Sequence, residues 1–290
     1  PGLSPESVTS IFTVLIAVAF CYMNYRGVKG AGRSGILVSS FLIGIIIIFC
    51  LFCIAFIMGD PSAAGIDGFG PVLLPFGYMS IATSMGFTFM IFEGYEVVAQ
   101  TGEEAKHPEK TVPRAMFLCI TISAVLFIAV AAVTFATIGW QATAEGADHA
   151  LNLAADKAIP FIGGALMSVG MIIGSVAAVN SVVFSASRVS FAMGRDGNLP
   201  SIFGRLHPTR HTPVTAILIS GMIIIFMAVT FDIRKVAAVA DVMVLLLFVL
   251  VNLSMMTLRK RRPDAKRSFI SPLFPWIPLA GVGSKMFLAI

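Results

Sequence analysis

Long runs of apolar residues separated by short polar connections dominate the chain. Eight of them approach the ~20 residues a helix needs to cross the hydrocarbon core of a bilayer: Ser7–Tyr25, Ile36–Met58, Tyr78–Gln100, Pro113–Ile138, Pro160–Ser185, Pro213–Phe231, Val236–Leu258 and Leu273–Ile290. Hydrocarbon offers no water to backbone N–H and C=O groups, so only helices and closed barrels cross it. These runs are too long and too uniformly apolar for the ~10-residue alternating strands of a barrel. The pattern therefore predicts an all-α, multi-pass membrane helix bundle, one transmembrane domain over residues 1–290. Proline marks several predicted helix starts, at Pro113, Pro160, Pro213 and Pro272, where a missing N–H is tolerated. Gly170 and Gly174 form a GxxxG spacing, which predicts close approach of a neighbouring helix. The Gly- and Pro-rich stretch Gly59–Gly77 predicts an irregular loop or a short surface helix, and Ala144–Lys157 a short polar helix over the outer face.

The third run breaks its own pattern. Glu93-Gly94-Tyr95-Glu96 sits inside Ser80–Gln100, and Glu103-Glu104-Ala105-Lys106-His107-Pro108 follows at once. A charged side chain at bilayer depth costs a few kcal/mol or more, so two carboxylates flanking a glycine there mark a candidate functional site. Gly94 alone lowers helix propensity by about 1 kcal/mol against Ala, which only softens a span. With Glu93 and Glu96 beside it, a continuous lipid-facing helix is not expected. One reading is a span broken near residues 92–95, whose freed backbone groups and following half-helix bind the charged ends of a zwitterion. The other is a kinked helix whose acids are satisfied by neighbouring polar groups. Phe87, Phe89, Phe92 and Tyr95 suit a neutral amino acid, whereas the two acids suit a cationic amino acid or a polyamine. Glu103 and Glu104 are expected to pair with basic residues of other connections, in a structural or gating role.

Composition agrees with a lipid solvent. The chain is 57% hydrophobic and 12% charged, against about 45–50% and about 25% in soluble domains. The net charge of +5 reads as topology, because the basic residues cluster in alternate connections. Arg26, Lys29 and Arg33 follow the first run; Lys106, Lys110 and Arg114 the third; Arg188, Arg195, Arg205 and Arg210 the fifth; Arg259 to Arg262, Lys266 and Arg267 the seventh. The positive-inside rule puts these connections in the cytoplasm, with no nucleic-acid partner and with Pro1 outside. A chain entering its first span this way is expected to be preceded by further spans, and Ile290, inside an apolar run, to be followed by more chain. Cys21, Cys50, Cys53 and Cys119 lie in or at the edges of spans and read as small packing residues. His107, His149, His207 and His211 fall in connections with no metal-ligand spacing. No metal, cofactor or enzymatic constellation is expected, and no continuous polar lining suggests a channel.

The string Phe92-Glu93-Gly94-Tyr95 through Pro113-Arg114-Ala115 resembles the sixth-span signature of the amino acid–polyamine–organocation (APC) transporter superfamily. Val179–Pro200 is similar to the family's eighth span and its cytoplasmic end, and Asn24–Lys29 and the closing Arg259-Lys260-Arg261-Arg262-Pro263 fit as well. The resemblance runs through nearly the whole chain and aligns its eight spans with the family's fourth to eleventh. It implies a five-plus-five inverted-repeat transporter, incomplete here, with the spans numbered one to three and twelve lying outside this chain. It also implies a secondary active amino acid transporter of the cell membrane working by alternating access, with amino acid substrate and bilayer as partners. Ile91, Phe92, Glu93 and Gly94 match the unwound substrate-binding segment, Phe92 the aromatic lid, and Glu96 a gating or proton-coupling position. Asn180, Ser181 and Ser185 match the region of a possible cation site, so the coupling ion is H+ or Na+. Two departures stand out. Where some proton-coupled relatives carry a lysine in the family's fifth span, Ile36–Met58 has no cation, with Leu42 near that place. Asp241 replaces a neutral polar residue and either pairs with Arg234 or Lys235 or favours a cationic substrate. The alternatives to transport of a zwitterion are an amino-acid sensor that keeps the fold and a polyamine or cationic amino acid exchanger. The oligomeric state is left open.

Overall fold

A computed structural model describes residues 5–26, 31–61, 65, 77–100, 102, 105–147, 149–210, 212–265, 267 and 269–288. Every regular element among the described residues is helical: α1 (Pro5–Arg26), α2 (Ala31–Gly59), α3 (Tyr78–Ile91), α4 (Glu96–Gln100), α5 (Pro108–Ile138), α6 (Trp140–Glu145), α7 (Ala150–Ala158), α8 (Gly163–Arg195), α9 (Val214–Thr230), α10 (Ile233–Arg261) and α11 (Trp276–Leu288). Four of these contain stretches long and apolar enough to cross a membrane, Gly35–Gly59, Pro108–Ile138, Gly163–Arg195 and Lys235–Arg261. The apolar parts of α1 and α9 are shorter, α3 stops part-way, and α11 covers 13 residues, about 20 Å at 1.5 Å per residue. Large apolar side chains stand exposed on the outer faces, among them Phe12, Leu37, Ile128 and Ile172. In a bilayer these faces meet acyl chains, so exposure to lipid replaces exposure to water.

The core is organised by α2. Ile45, Phe49 and Cys53 recur every four residues along one face of it, the spacing that stacks side chains on a helix. They pack against Val133 of α5, Ala154 and Ala155 of α7 and Met167 of α8, and Phe49 and Cys53 are fully buried. The GxxxG pair of α8 faces the same helix: Gly170 lies against Ile45 and Gly174 against Leu42. The small residues let the two helices approach, as the spacing predicts.

Several boundaries differ from those read off the apolar runs. α5 begins at Pro108, at the first-turn position, after His107 in the left-handed region at φ 53°. Pro113 lies inside that helix rather than at its start, where it gives up one N–H bond and crowds the carbonyl a turn back; the first turn is polar, so the apolar run alone placed the start too late. α8 continues past Ser185 to Arg195, about 15 Å further, because nothing in its basic end breaks a helix. Ala144–Lys157 forms the end of α6 and most of α7 rather than one helix, with a turn at Gly146. Most of Gly59–Gly77, and Glu103 and Glu104, lie outside the described residues.

Polar pairs stitch the ends. Asp156 Oδ1 accepts the Gly164 N–H at 2.7 Å and so caps α8, while Lys157 Nζ donates to the Thr137 carbonyl at 2.8 Å. At the opposite end Asn24 of α1 donates to Asn180 Oδ1 at 3.1 Å. Thr212 Oγ1 donates to the Tyr25 carbonyl, and the Arg210 guanidinium sits 4.3 Å from the Tyr25 ring.

Replacing Gly170 by Leu is expected to destabilise the protein by about 1–3 kcal/mol, the usual range for overpacking, because its first side-chain atom already meets Ile45 at 3.3 Å. Gly44→Ala, with open space at its Cβ, is the control. Thermal unfolding in detergent reads both; equal midpoints for the two variants would show that the α2–α8 contact is not tight.

Candidate functional site

The third span is interrupted in the backbone itself. α3 ends at Ile91, residues 92–95 form a turn, and α4 restarts at Glu96. Gly94 adopts φ +119°, yet a Cβ built there meets nothing within 4 Å. Glycine is thus required by its dihedral angle and not by crowding, since L-residues rarely take that region. Single-turn bonds bracket the break: Phe92 N–H donates to the Phe89 carbonyl at 3.0 Å and Val97 N–H to the Gly94 carbonyl at 3.2 Å.

Each acid at the break has a different environment. Glu96 folds its carboxylate back onto the Gly94 N–H, which it accepts with both oxygens at 3.0 and 2.8 Å. The Gly94 amide is thus filled from within the chain in this conformation. Glu93 is half-buried, and its Oε1 has no hydrogen-bond partner among the described residues. The same is true of Oδ1 of Asp241 on α10, which acts electrostatically on Glu93 together with Glu96. Asp241 therefore does not find the Lys235 partner weighed for it from sequence; the Arg234 side chain lies outside the described residues. Glu93 and Asp241 each keep a buried oxygen unpartnered among the described residues, and such oxygens can accept a positive charge.

Aromatic rings surround the break. Tyr95 stacks on Phe248 of α10, with centroids 5.5 Å apart and planes at 11°. Phe89 meets Phe248 edge-on at 6.1 Å, and Phe92 meets Phe127 of α5 edge-on at 5.4 Å. Between Phe89 and Phe248 lies the ammonium of Lys285 from α11, 5.8 and 5.4 Å from the two ring centroids. An open groove of about 470 Å³ runs down α3 to this point, lined by Ser80, Ser84, Thr88, Phe89, Phe92 and Leu288 among others. Its hydroxyls repeat every four residues and so share one helix face.

The residues expected at the site divide accordingly. Phe92, Glu93, Gly94 and Glu96 lie together at the break, and Ile91 is the last residue of α3, its side chain largely exposed. Asn180, Ser181 and Ser185 do not converge. Asn180 Oδ1 takes the Asn24 amide, Ser181 donates to the Ala177 carbonyl within α8, and Ser185 donates to Gln100 Oε1 on α4. Along a helix Asn180 points about 100° from Ser181 and about 140° from Ser185, so its amide faces away from the two hydroxyls, which share one face but turn to different acceptors. Lys285, Phe248, Phe127 and the hydroxyl face of α3 were not singled out from sequence. Lys285 is the one cation in its apolar run, and Ser80, Ser84 and Thr88 show a period of four; both signals were there to be read. The Phe87 side chain lies outside the described residues.

Four helices long and apolar enough to cross a bilayer define an integral membrane protein of the helical class. A family model described as amino acid permease matches residues 3–290. The chain belongs to that family. It is 27% identical to the methylthioribose transporter of Bacillus subtilis (strain 168), covering 98% of this chain and 59% of that protein. It is 25% identical to the branched-chain amino acid permease BcaP of the same organism, covering 99% and 61%. With cationic amino acid transporter 4 of Mus musculus it shares 30% identity, covering 79% and 36%. The chain thus spans about three fifths of the length of the first two relatives.

Gly94→Ala is expected to destabilise the break by about 1–3 kcal/mol, the range for a residue forced into a sparsely populated backbone region. Gly86→Ala, within α3 and with open space around its Cβ, should be neutral or slightly stabilising. Unfolding midpoints in detergent compare them, and a Gly94→Ala midpoint at or above that of Gly86→Ala would contradict the assigned φ.

Proposed function

We propose that the protein of which this chain forms most of the helical bundle is a secondary active transporter of amino acids in the cell membrane. Substrate binds at the break between α3 and α4. The observation that carries the reading is the interrupted span itself, with Gly94 at φ +119° and the Glu93 and Asp241 carboxylate oxygens unpartnered around it. An amino acid brings a cation and an anion at fixed separation. Its ammonium suits the unpartnered oxygens of Glu93 and Asp241, and its carboxylate suits the Gly94 N–H once Glu96 withdraws. Glu96 is then a gate: the same amide serves its carboxylate or the ligand's, not both at once. Phe92, held edge-on against Phe127 at the foot of the α3 groove, covers the bound ligand. Rocking of the bundle about this site gives alternating access. The basic connections face the cytoplasm, as the charge bias favours.

Proton coupling through the acids at the break is favoured over a sodium ion on α8, because the Asn180 oxygen already accepts the Asn24 amide and faces away from Ser185, which donates to Gln100. The second reading is a cationic amino acid or polyamine exchanger. The acid pair Glu93–Asp241 favours it, and the relative named as a cationic amino acid transporter is consistent with it. Lys285 weighs against it, since its ammonium already occupies the aromatic face that a cationic side chain would use. The sensor alternative binds the same ligand without moving it.

Reconstitution of the full-length protein in liposomes tests these readings, with a labelled panel of neutral and cationic amino acids and methylthioribose, with and without an inward proton gradient. Saturable, gradient-stimulated amino acid uptake is the expected result; binding without flux would move the protein to the sensor reading, and uptake of methylthioribose alone would overturn the substrate class. Glu93→Gln should weaken amino acid uptake at least tenfold, and Glu96→Gln should remove its dependence on the gradient. Unchanged uptake in both variants would mean that the break is not the site. Lys285→Met should raise the preference for cationic over neutral substrates about fivefold, the scale of a cation–π contact of about 1 kcal/mol; an unchanged ratio would leave Lys285 without a part in specificity.

A further inference from the structure

The basic end of α10 and the turn into α11 form a second concave site, separate from the broken span. Arg259, Lys260, Pro263, Arg267, Ile270 and Phe274 line a pocket of about 320 Å³. Its walls are of two kinds. The Arg259 guanidinium lies 4.3 Å from the centroid of the Phe274 ring, which fixes its direction. Arg267 closes the loop by donating from Nη1 to the Pro263 and Ala265 carbonyls at 3.0 and 3.1 Å and from Nη2 to the Arg262 carbonyl at 2.5 Å. Three donated N–H groups leave two on its guanidinium for another acceptor. Lys260 is exposed, and among the described residues neither it nor Arg259 has a carboxylate within ion-pair distance. Between Arg259 and Trp276 the chain carries one acid, Asp264, against Arg259, Lys260, Arg261, Arg262, Lys266 and Arg267. Two cations elsewhere at this end are matched from within: Arg195 pairs with Asp196 at 3.1 Å, and Arg210 lies over Tyr25.

Directly beside these cations the surface is apolar. Ile270, Leu273 and Trp276 are 67%, 73% and 72% exposed, and tryptophan at a helix end is a membrane-interface residue. A ligand fitting both walls carries a compact anion on an apolar body and approaches from the bilayer. We propose that this pocket binds the headgroup of an anionic phospholipid, with the phosphate against Arg259, Lys260 and the free edge of Arg267 and the glycerol and first acyl carbons on Ile270 and Phe274. Basic pockets and clusters at the end of a span are suited to such headgroups, at about fivefold in binding per cation near the surface. The site requires the chain to be embedded in a bilayer and does not depend on what the broken span transports.

The test uses the purified full-length protein in detergent, titrated with short-chain phosphatidylglycerol, phosphatidylcholine of the same chain length, or inorganic phosphate, with lipid binding read by native mass spectrometry and by the unfolding midpoint. Phosphatidylglycerol should bind saturably and raise the midpoint, and the other two should not. Lys260→Gln, at an exposed position that leaves the fold intact, should weaken phosphatidylglycerol binding about fivefold, and Arg259→Gln with Lys260→Gln about 25-fold. Lys110→Gln, which removes a basic residue from the start of α5, should leave binding unchanged. The proposal is overturned if Lys110→Gln weakens binding as much as Lys260→Gln does, if the double variant binds normally, or if phosphatidylcholine binds equally. Protection by inorganic phosphate alone would make this a soluble-anion site and equally overturn the lipid assignment.

Discussion

A bilayer interior supplies no water to the backbone, and each unpaired N–H or C=O left in hydrocarbon costs several kcal/mol. Under that constraint a helix in the bilayer is the default, and any departure from it must be answered by local partners. The helices of this bundle obey it over most of their length. The departure is at residues 92–95, where α3 stops and α4 has not begun. Gly94 permits the turn, and the Glu96 carboxylate supplies an acceptor for the amide that the turn exposes. A carboxylate is a strong partner for a backbone N–H, yet a removable one, because a second carboxylate can take its place.

The rest of the bundle reads as support for that interruption. α2 is the rigid member, with Ile45, Phe49 and Cys53 buried along one face and α8 drawn close through Gly170 and Gly174. α4 is fastened to α8 through Ser185 and Gln100, while α3 meets α11 and α10 through Lys285, Phe89 and Phe248. The two halves of the broken span are thus anchored to different neighbours. In the proposed transport reading, relative movement of those neighbours would reach the break, the arrangement that rigid-body gating needs.

Charge is distributed by depth. Among the described residues the acids Glu93 in the turn, Glu96 on α4 and Asp241 on α10 have no cationic partner, a single lysine lies among aromatic rings on α11, and clusters of Lys and Arg lie at the helix ends. In the last set Arg210 packs on the Tyr25 ring, while Arg259 and Lys260 at the end of α10 line an open pocket.

The apolar runs of the sequence were enough to determine an all-α membrane bundle, because the solvent leaves few alternatives. Glu93-Gly94-Tyr95-Glu96 was enough to locate the interruption, since two acids and a glycine are incompatible with a continuous lipid-facing helix. Local sequence was less informative about ends: polar first turns and basic last turns are helical too, so α5 starts before Pro113 and α8 runs on to Arg195. What tertiary structure alone decided is which polar groups meet. Asp241 comes to Glu93 rather than to Lys235, Lys285 comes to Phe89 and Phe248, and Asn180 and Ser185 part company toward Asn24 and Gln100. These pairings join helices far apart in the chain. They depend on how each helix is rotated about its axis, which is set by the fit of small and large side chains between neighbours and not by the hydrophobicity that placed the helices in the membrane.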